Sequence, residues 1–165
     1  LNRIKDITLL LNSTASSYSR LGNLLAPKYV SWSHENYAQL LRVPVSGQEE
    51  NGIILRSPDN TCNPYFALGI LIYACIEGAV KGAELCEPVN FSTTGASREV
   101  LSKLEKLPES LDEAVKAAND SEFLHEHMPE NLLSHILAVK AAEAKEYNSC
   151  EDKDAFETVR YFYTL

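Results

Sequence analysis

The segment NGIILRSPDNTCNPYFALGILIYACIEG, residues 51–78, predicts a strand followed by a long helix. It begins with an apolar run, 52–56, that favours a strand and ends in an arginine. Asn63 and Pro64 then form a helix start, because asparagine accepts hydrogen bonds from free amides and proline suits the first helical position. The residues that follow are apolar on nearly all sides, which predicts a central core helix that runs to about Lys81.

Two further strands are predicted ahead of this segment, at 28–33 and 38–45, from their β-branched, aromatic and leucine-rich composition. The links between the three strands are short, and a polar turn at 46–51 precedes the third, so we predict an antiparallel meander. Helical spacing of apolar residues predicts a helix at 1–11. The stretch 12–27 begins with turn and cap residues and continues irregularly, because a glycine and a proline interrupt it.

The second half of the chain predicts helices after a loop at 82–97. Ser110 and Glu113 have the spacing of a capping box, and Pro129 opens a helix with apolar periodicity. A final helix is expected in 154–165. The predicted fold class is α+β, with a small antiparallel sheet packed on a core helix and followed by a helical C-terminal region.

The composition of the 165 residues indicates one globular domain, with 45% hydrophobic and 23% charged residues. Fifteen basic and 23 acidic residues give a formal net charge of -8, and no basic cluster is present, so neither nucleic acid nor an anionic membrane is an expected partner. The longest apolar run, 65–76, is too short to span a bilayer. The chain opens with Leu1 rather than methionine, and we expect it to be a piece of a longer protein.

Cysteine and histidine residues give no catalytic or metal-binding pattern. The cysteines are Cys62, Cys75, Cys86 and Cys150. None has CxxC spacing, so free thiols in a reducing cytoplasm are expected, with Cys75 buried in an apolar helix. The histidines are His34, His125, His127 and His135. Their spacing does not suit a zinc site, and surface positions are expected.

Three arginines, Arg20, Arg42 and Arg56, each lie in or beside a mostly apolar segment. A single arginine in such a place usually packs its stem against apolar surface while its head reaches water. Three of them around one predicted sheet favour an anion pocket, because a guanidinium binds carboxylate or phosphate through two parallel hydrogen bonds.

Segments 12–45, 54–78 and 107–124 resemble the catalytic domain of glutamine synthetases, in the order and spacing of that family. The most specific parts are the blocks SYxRL…APxYVSW and RSPD…NPY. The resemblance covers essentially the whole chain, and 1–165 is identified as the C-terminal portion of a divergent catalytic domain, without its N-terminal portion.

The resemblance implies an ATP-dependent ligation of ammonia, or an amine, to glutamate through an acyl phosphate, with Mg²⁺ or Mn²⁺. It also implies a homo-oligomer of stacked rings. Arg20 matches the family arginine that holds the α-carboxylate of glutamate, and Arg42 matches one that contacts ATP phosphates. Arg56 matches an arginine directed at glutamate and the transferring phosphoryl group. No residue of the chain is assigned as catalytic or as a metal ligand.

The chain departs from the family pattern at several site positions. Ile54 stands where the family has a metal-binding glutamate, and Tyr37 and Gly52 stand where it has arginines near the phosphates. Leu25 and Ala26 occupy the place of an acid that captures ammonium. Three interpretations therefore stay open: part of a ligase, a degenerate homologue that binds glutamate or nucleotide as a regulatory subunit, and an interaction protein with only the inherited fold.

Overall fold

Eight α-helices and three short strands make up the part of the chain that this computed structural model describes, residues 1–34, 36–44, 52–91, 93 and 96–162. The helices are α1 (Ile4–Leu11), α2 (Ala15–Arg20), α3 (Pro64–Val80), α4 (Arg98–Leu101), α5 (Leu111–Asn119), α6 (Glu122–His127), α7 (Glu130–Ser149) and α8 (Lys153–Glu157). The strands are β1 (Trp32–Ser33), β2 (Leu41–Arg42) and β3 (Ile54–Leu55), and a π-helical turn, Thr158–Phe162, follows α8. The predicted α+β class is confirmed.

The core forms around α1, which packs mainly on α5 and also contacts α3 and α6. Ile7, Leu9 and Leu11 of α1 are almost completely buried. Even the buried Thr8 is satisfied, because its hydroxyl donates to the Ile4 carbonyl at 2.6 Å. Helices α6 and α7 complete the core with fully buried Phe123, Leu124 and Leu133. Burial of each such side chain contributes about 1.5–3 kcal/mol relative to exposure.

The sheet has β2 at its centre, paired in parallel with β1 and antiparallel with β3. The predicted meander is therefore right for β2 and β3 and wrong for β1 and β2. The connection after β1 folds back locally, since the amide of Asn36 donates to the Ser33 hydroxyl at 3.0 Å. The chain then runs alongside β1 in the same direction, with the Val43 amide bound to the Ser33 carbonyl.

All three strands are shorter than predicted, and the first is short because its residues are shared between two partners. Tyr29 forms an antiparallel bridge with Lys106, and the Val30 amide donates to the Glu105 carbonyl at 2.7 Å. Only the end of the predicted strand 28–33 is left for the sheet. The predicted turn at 46–51 lies outside the described residues, as does the last residue of the predicted strand 38–45.

Helix α3 begins as predicted but does not lie at the centre of the described structure. The side chain of Asn63 accepts from the Tyr65 amide at 3.0 Å, which confirms the predicted cap. Only Ala67 and Ile70 of the helix are buried, so the predicted core position is wrong. Cys75 is exposed, against the expectation of a buried thiol. The helix exposes a broad apolar face, which we call the α3 face: Tyr65, Leu68, Ile72, Tyr73, Ile76 and Val80.

A bidentate ion pair joins the start of α1 to the last turns of α3. Arg3 donates from Nε and Nη2 to the two carboxylate oxygens of Glu77, each at 2.8 Å. These hydrogen bonds, with a further one from Lys81, lower the pKa of Glu77 to about 2. The same bonds raise the pKa of Arg3. No helix among the described residues is both long and apolar enough to cross a bilayer.

Helix α2 corrects the prediction that 12–27 is irregular, since residues 15–20 are helical. Thr14 starts the helix, with its amide donating to the Ser17 hydroxyl at 3.3 Å. The predicted cap of α5 is present in part. The Ser110 hydroxyl accepts from the Glu113 amide, but the Glu113 carboxylate binds the preceding amide, that of Glu109.

The C-terminal helices begin and end close to the predicted positions. Helix α7 starts directly after Pro129, as the sequence indicates. The final predicted helix, 154–165, forms as α8 and then changes to the π-helical turn at Thr158. Residues 163–165 of that prediction lie outside the described chain.

Candidate anion-binding site

Strands β2 and β3 place Arg42 and Arg56 on one face of the sheet. Arg42 lies opposite Ile54, and the Arg56 amide continues the ladder by donating to the Leu40 carbonyl at 2.9 Å. Residues two apart in a strand share a face, so Arg56 lies on the same side as Ile54 and diagonal to Arg42. The predicted strand therefore does deliver Arg56 beside Arg42.

The ring of Tyr37 lies against both of these guanidiniums. Cζ of Arg42 is 4.2 Å from the ring centroid, and Cζ of Arg56 is 5.8 Å from it. An aromatic face attracts cations within about 6 Å. The Tyr37 ring therefore provides one surface that attracts both guanidiniums. Half of the Tyr37 side chain is exposed, so the ring lies at the rim of the site.

Arg20 reaches the same end of β3 from the last turn of α2. Its Nη2 donates to Oδ1 of Asn12 at 3.1 Å and to the carbonyl of Ser57 at 2.5 Å. Ser57 directly follows Arg56, so these bonds bring Arg20 against the residue next to the second arginine. Asn12 and Ser57 are fully buried.

Donor atoms around Arg20 have spare hydrogen-bonding capacity. Among the described residues, no hydrogen-bond partner is present for Nε of Arg20, Nδ2 of Asn12 or Oγ of Ser57, all of which are buried. The first two can only donate in this arrangement, so the cluster suits an acceptor such as a carboxylate oxygen.

The turn after β3 is fastened to the core, which fixes the position of Ser57. The Asp59 amide donates to the Leu11 carbonyl at 3.1 Å. The Asp59 carboxylate accepts from both the amide and the hydroxyl of Thr61, at 2.8 and 2.6 Å. The Asp59 carboxylate is therefore hydrogen-bonded within the turn, and the turn places the Ser57 carbonyl beside Arg20.

Two of the positions that depart from the family pattern carry exposed aliphatic side chains. Ile54 is 42% exposed and Leu25 is 59% exposed. Leu24, beside it, has a positive φ of 52° in an exposed turn that also contains Gly22 with φ of 83°. In the described ranges no group of three or more His, Cys, Asp or Glu side chains could hold a metal ion. The described residues by themselves therefore do not make up a metal site.

A separate surface depression of about 310 Å³ lies between the end of α2 and residues 107–109. Lys28 and Glu109, which form an ion pair at 2.9 Å, contribute to its wall. The three arginines do not line it. The depression is thus distinct from the proposed anion-binding positions.

The histidines are partly as expected. His125 is exposed and bonds to the Asn119 carbonyl and the Glu130 carboxylate, and both bonds raise its pKa. His127 is half-buried, stacked on Tyr73 at 4.6 Å, so the expected surface position is wrong for it. The four cysteines are free thiols.

Three contributors to the site escaped the sequence-based reasoning. In the sequence, Asn12 is one residue of a polar turn and Ser57 is part of a family motif. Nothing in their spacing indicates that both contact Arg20. Tyr37 is visible in the sequence only as a substitution. Its role as a shared platform depends on the folding of the loop before β2.

The similarity to known proteins extends over nearly the whole chain. The family model described as "Glutamine synthetase, catalytic domain" matches residues 1–159. The chain belongs to the glutamine synthetase family. A glutamine synthetase from Methanosarcina mazei is 35% identical over 153 residues, which cover 90% of this chain and 34% of that protein. The glutamine synthetase of Thermotoga maritima is 30% identical over 167 residues, covering 99% of this chain and 37% of that protein.

Solved structures agree with the fold of this glutamine synthetase family member. A structure described as a GmaS/ADP complex superposes with a TM-score of 0.79 at 22% identity, covering 98% of this chain and 37% of that one. A GmaS structure without ligand gives a TM-score of 0.75 at 24% identity, covering 99% and 36%. The chain thus spans about a third of the length of the curated relatives and structures that it matches. The predicted family is confirmed.

Proposed function

We propose that this chain supplies the anion-binding part of an ATP-dependent ligase site that joins ammonia, or an amine, to glutamate. In this proposal Arg20 binds the α-carboxylate of glutamate, Arg42 binds ATP phosphates, and Arg56 binds glutamate and the transferring phosphoryl group. Support for the proposal comes from the contacts that these side chains make near the end of β3. Arg42 and Arg56 share the ring of Tyr37, and Arg20 binds the Ser57 carbonyl.

The chemistry needs positive charge that is already in place. When bound, ATP would supply the phosphoryl group that turns a carboxylate oxygen of glutamate into a leaving group. Catalysis of such a transfer rests mainly on positioning and on neutralising the negative charge that gathers around the phosphoryl group. Arg42 and Arg56 suit this task because adjacent strands hold their backbones. Arg20 suits a carboxylate because its guanidinium is already oriented by Asn12 and Ser57.

Other features of the proposal come from family membership rather than from contacts in this chain. They are residues 1–165 as the C-terminal portion of a catalytic domain, Mg²⁺ or Mn²⁺ as the metal of the family, and a homo-oligomer of rings. The proposed cytoplasmic location comes from the cysteine pattern instead. No step of the proposal runs through a metal held by the described residues, because their donor set does not fit one.

A second candidate function is a degenerate homologue that binds glutamate or nucleotide without turnover. Its support is the pair of apolar substitutions, Ile54 and Leu25, both accessible at positions where the family has acids. Ile54 lies opposite Arg42 on the face that carries both sheet arginines. The site retains its anion binders and lacks acids at these two positions.

Calorimetry and a phosphate-release assay on the intact protein separate the two candidates. Glutamate and ATP with Mg²⁺ are titrated, and phosphate release is followed with ammonia and with methylamine. Phosphate release that depends on glutamate and an amine supports the ligase. Binding of glutamate or ATP without release supports the degenerate homologue, and binding of neither ligand contradicts both.

The matched variants are Arg56→Lys and Arg98→Lys. Arg98 is exposed on α4 and serves as the control. Lysine keeps the charge but not the planar fork, so Arg56→Lys should weaken ligand binding about tenfold or more, while Arg98→Lys should not change it. Equal effects of the two substitutions would show that the response reflects total charge and not the proposed site.

A further inference from the structure

Helix α2, which carries Arg20 at its end, is held at its start by a tyrosine from the C-terminal segment. The amide of Ala15, the first residue of the helix, donates to the hydroxyl oxygen of Tyr161 at 2.9 Å. The two residues are 146 positions apart in the sequence. A first-turn amide has no partner within its own helix, so this tyrosine satisfies a group that the helix cannot satisfy itself.

The hydroxyl of Tyr161 is fixed in turn by a buried carboxylate on α7. It donates to Oε1 of Glu143 at 2.7 Å, and Oε2 of Glu143 accepts from Lys140 at 2.8 Å. Glu143 is only 3% exposed, and a buried carboxylate is tolerated when its oxygens are paired. Burial of Tyr161 and its bond to Glu143 raise its pKa, so the hydroxyl keeps the proton that it donates.

Aromatic packing keeps the C-terminal segment in place. The ring of Phe156 contacts Tyr161 edge-on at 6.2 Å between centroids, and it contacts Tyr147 of α7 in the same way at 5.5 Å. The π-helical turn is therefore anchored to α7 through both rings and the Glu143 carboxylate. Its position defines where the tyrosine hydroxyl meets α2.

Helix α2 is too short to be stable without such contacts. It has six residues, and isolated helices below about 12 residues are marginal in water. Its buried Tyr18 donates to the Asn12 carbonyl at 2.8 Å, and Arg20 contacts Asn12 and Ser57 at its end. The contact at its start comes from Tyr161.

We propose that Tyr161 is a positioning residue for Arg20: its hydroxyl, oriented by Glu143, fixes the first turn of α2 and thereby the direction of the arginine at the other end. Through Tyr161, the C-terminal segment then links α7 to the helix that carries Arg20. The effect on ligand binding rests on the proposed function, whereas the effect on α2 does not.

Hydrogen exchange on the intact protein tests the structural half. Tyr161→Phe removes only the hydroxyl and leaves the Ala15 amide without its acceptor. We expect amide exchange in residues 15–20 to speed up about tenfold, because the opening of α2 loses one opposing contact. The control is Tyr147→Phe, which removes a hydroxyl bonded to Glu157 at 3.2 Å and should leave α2 unchanged. Unchanged exchange in Tyr161→Phe would overturn the proposal.

Glutamate titration of the same variants tests the functional half, with Arg20→Lys as the reference. Tyr161→Phe should weaken glutamate binding about fivefold and Tyr147→Phe should not. If Arg20→Lys weakens binding and Tyr161→Phe does not, the coupling to Arg20 is wrong. If neither variant changes binding while amide exchange in α2 still rises, Tyr161 does stabilise α2 and the proposed binding of glutamate by Arg20 is wrong.

A second variant keeps the test decisive if Tyr161→Phe folds poorly. Glu143→Gln retains an oxygen that can accept from Tyr161 but loses the charge that pairs with Lys140. Exchange in α2 should rise, by less than in Tyr161→Phe, because the acceptor for the tyrosine is weaker and not absent. Exchange at the wild-type rate in this variant would contradict the role given to the carboxylate.

Discussion

Removal of the Asn12 side chain tests whether buried hydrogen bonds orient Arg20. In Asn12→Ala, Nη2 of Arg20 loses its acceptor at 3.1 Å and keeps only the Ser57 carbonyl. A hydrogen bond to a charged group contributes about 1.5–3 kcal/mol, so the free energy of unfolding should fall by that amount. A guanidinium with one fixed contact must lose more rotamer freedom on binding, about 1 kcal/mol, which predicts glutamate binding about fivefold weaker.

Urea unfolding and calorimetry measure the two effects separately. The control is Ser13→Ala at the next position, whose hydroxyl donates to the Thr61 carbonyl at 3.0 Å and does not touch Arg20. It should change stability by less than about 0.5 kcal/mol and leave glutamate binding unchanged. If the stability and affinity of Asn12→Ala match those of the control, Asn12 does not orient Arg20.

The variant Asn12→Asp separates orientation from charge. A carboxylate at this position would still accept from Arg20, but it would also neutralise the positive charge that an anionic ligand needs. We therefore expect glutamate to bind more weakly than in Asn12→Ala, although the arginine remains fixed. Binding as tight as in the wild type would show that Arg20 does not act through its charge.

Three further outcomes are expected. Glu77→Gln should lower the free energy of unfolding above about pH 4.5 and should no longer do so near pH 2. The pKa of the Glu77 carboxyl is about 2 in the folded protein and 4.5 ordinarily, so its stabilising contribution is complete above pH 4.5 and is lost as pH falls through about 2. Urea unfolding as a function of pH measures this. The 165-residue chain should self-associate through the α3 face, and the double variant Ile72→Ser, Ile76→Ser should have a lower sedimentation coefficient. A wild-type chain that sediments as a monomer would contradict this. Tyr37→Leu should weaken ATP binding in calorimetry about fivefold, because the two guanidiniums on its ring lose about 1 kcal/mol of cation–π attraction, and an unchanged affinity would count against the platform.

Local signals predicted the starts of several helices well. Asn63 followed by Pro64 marks α3 because a cap and a first-turn proline act on the backbone next to them. Ser110 marks α5 for the same reason. Helix α2 was missed because its six residues carry cap and turn chemistry, and its stability comes from Tyr161 and Ser57, which are distant in the sequence.

The sheet and the burial of α3 could not be read from local patterns. Alternation and β-branching indicate a strand but do not state its partner, so the parallel pairing of β1 with β2 and the bridge from Tyr29 to Lys106 were not foreseeable. An apolar run predicts that a helix will be covered. It does not say which element covers it, and among the described residues the α3 face stays largely exposed.

The family, the α+β class, the cap of α3 and the three candidate arginines could be read from the sequence, because caps, apolar runs and motif spacing act between neighbours in the chain. The folded structure was needed to show that Arg42 and Arg56 share one tyrosine ring, that Asn12 and Ser57 contact Arg20, and that a C-terminal tyrosine contacts α2. Those contacts join residues up to 146 positions apart, and their geometry depends on how helices and strands pack rather than on any local preference.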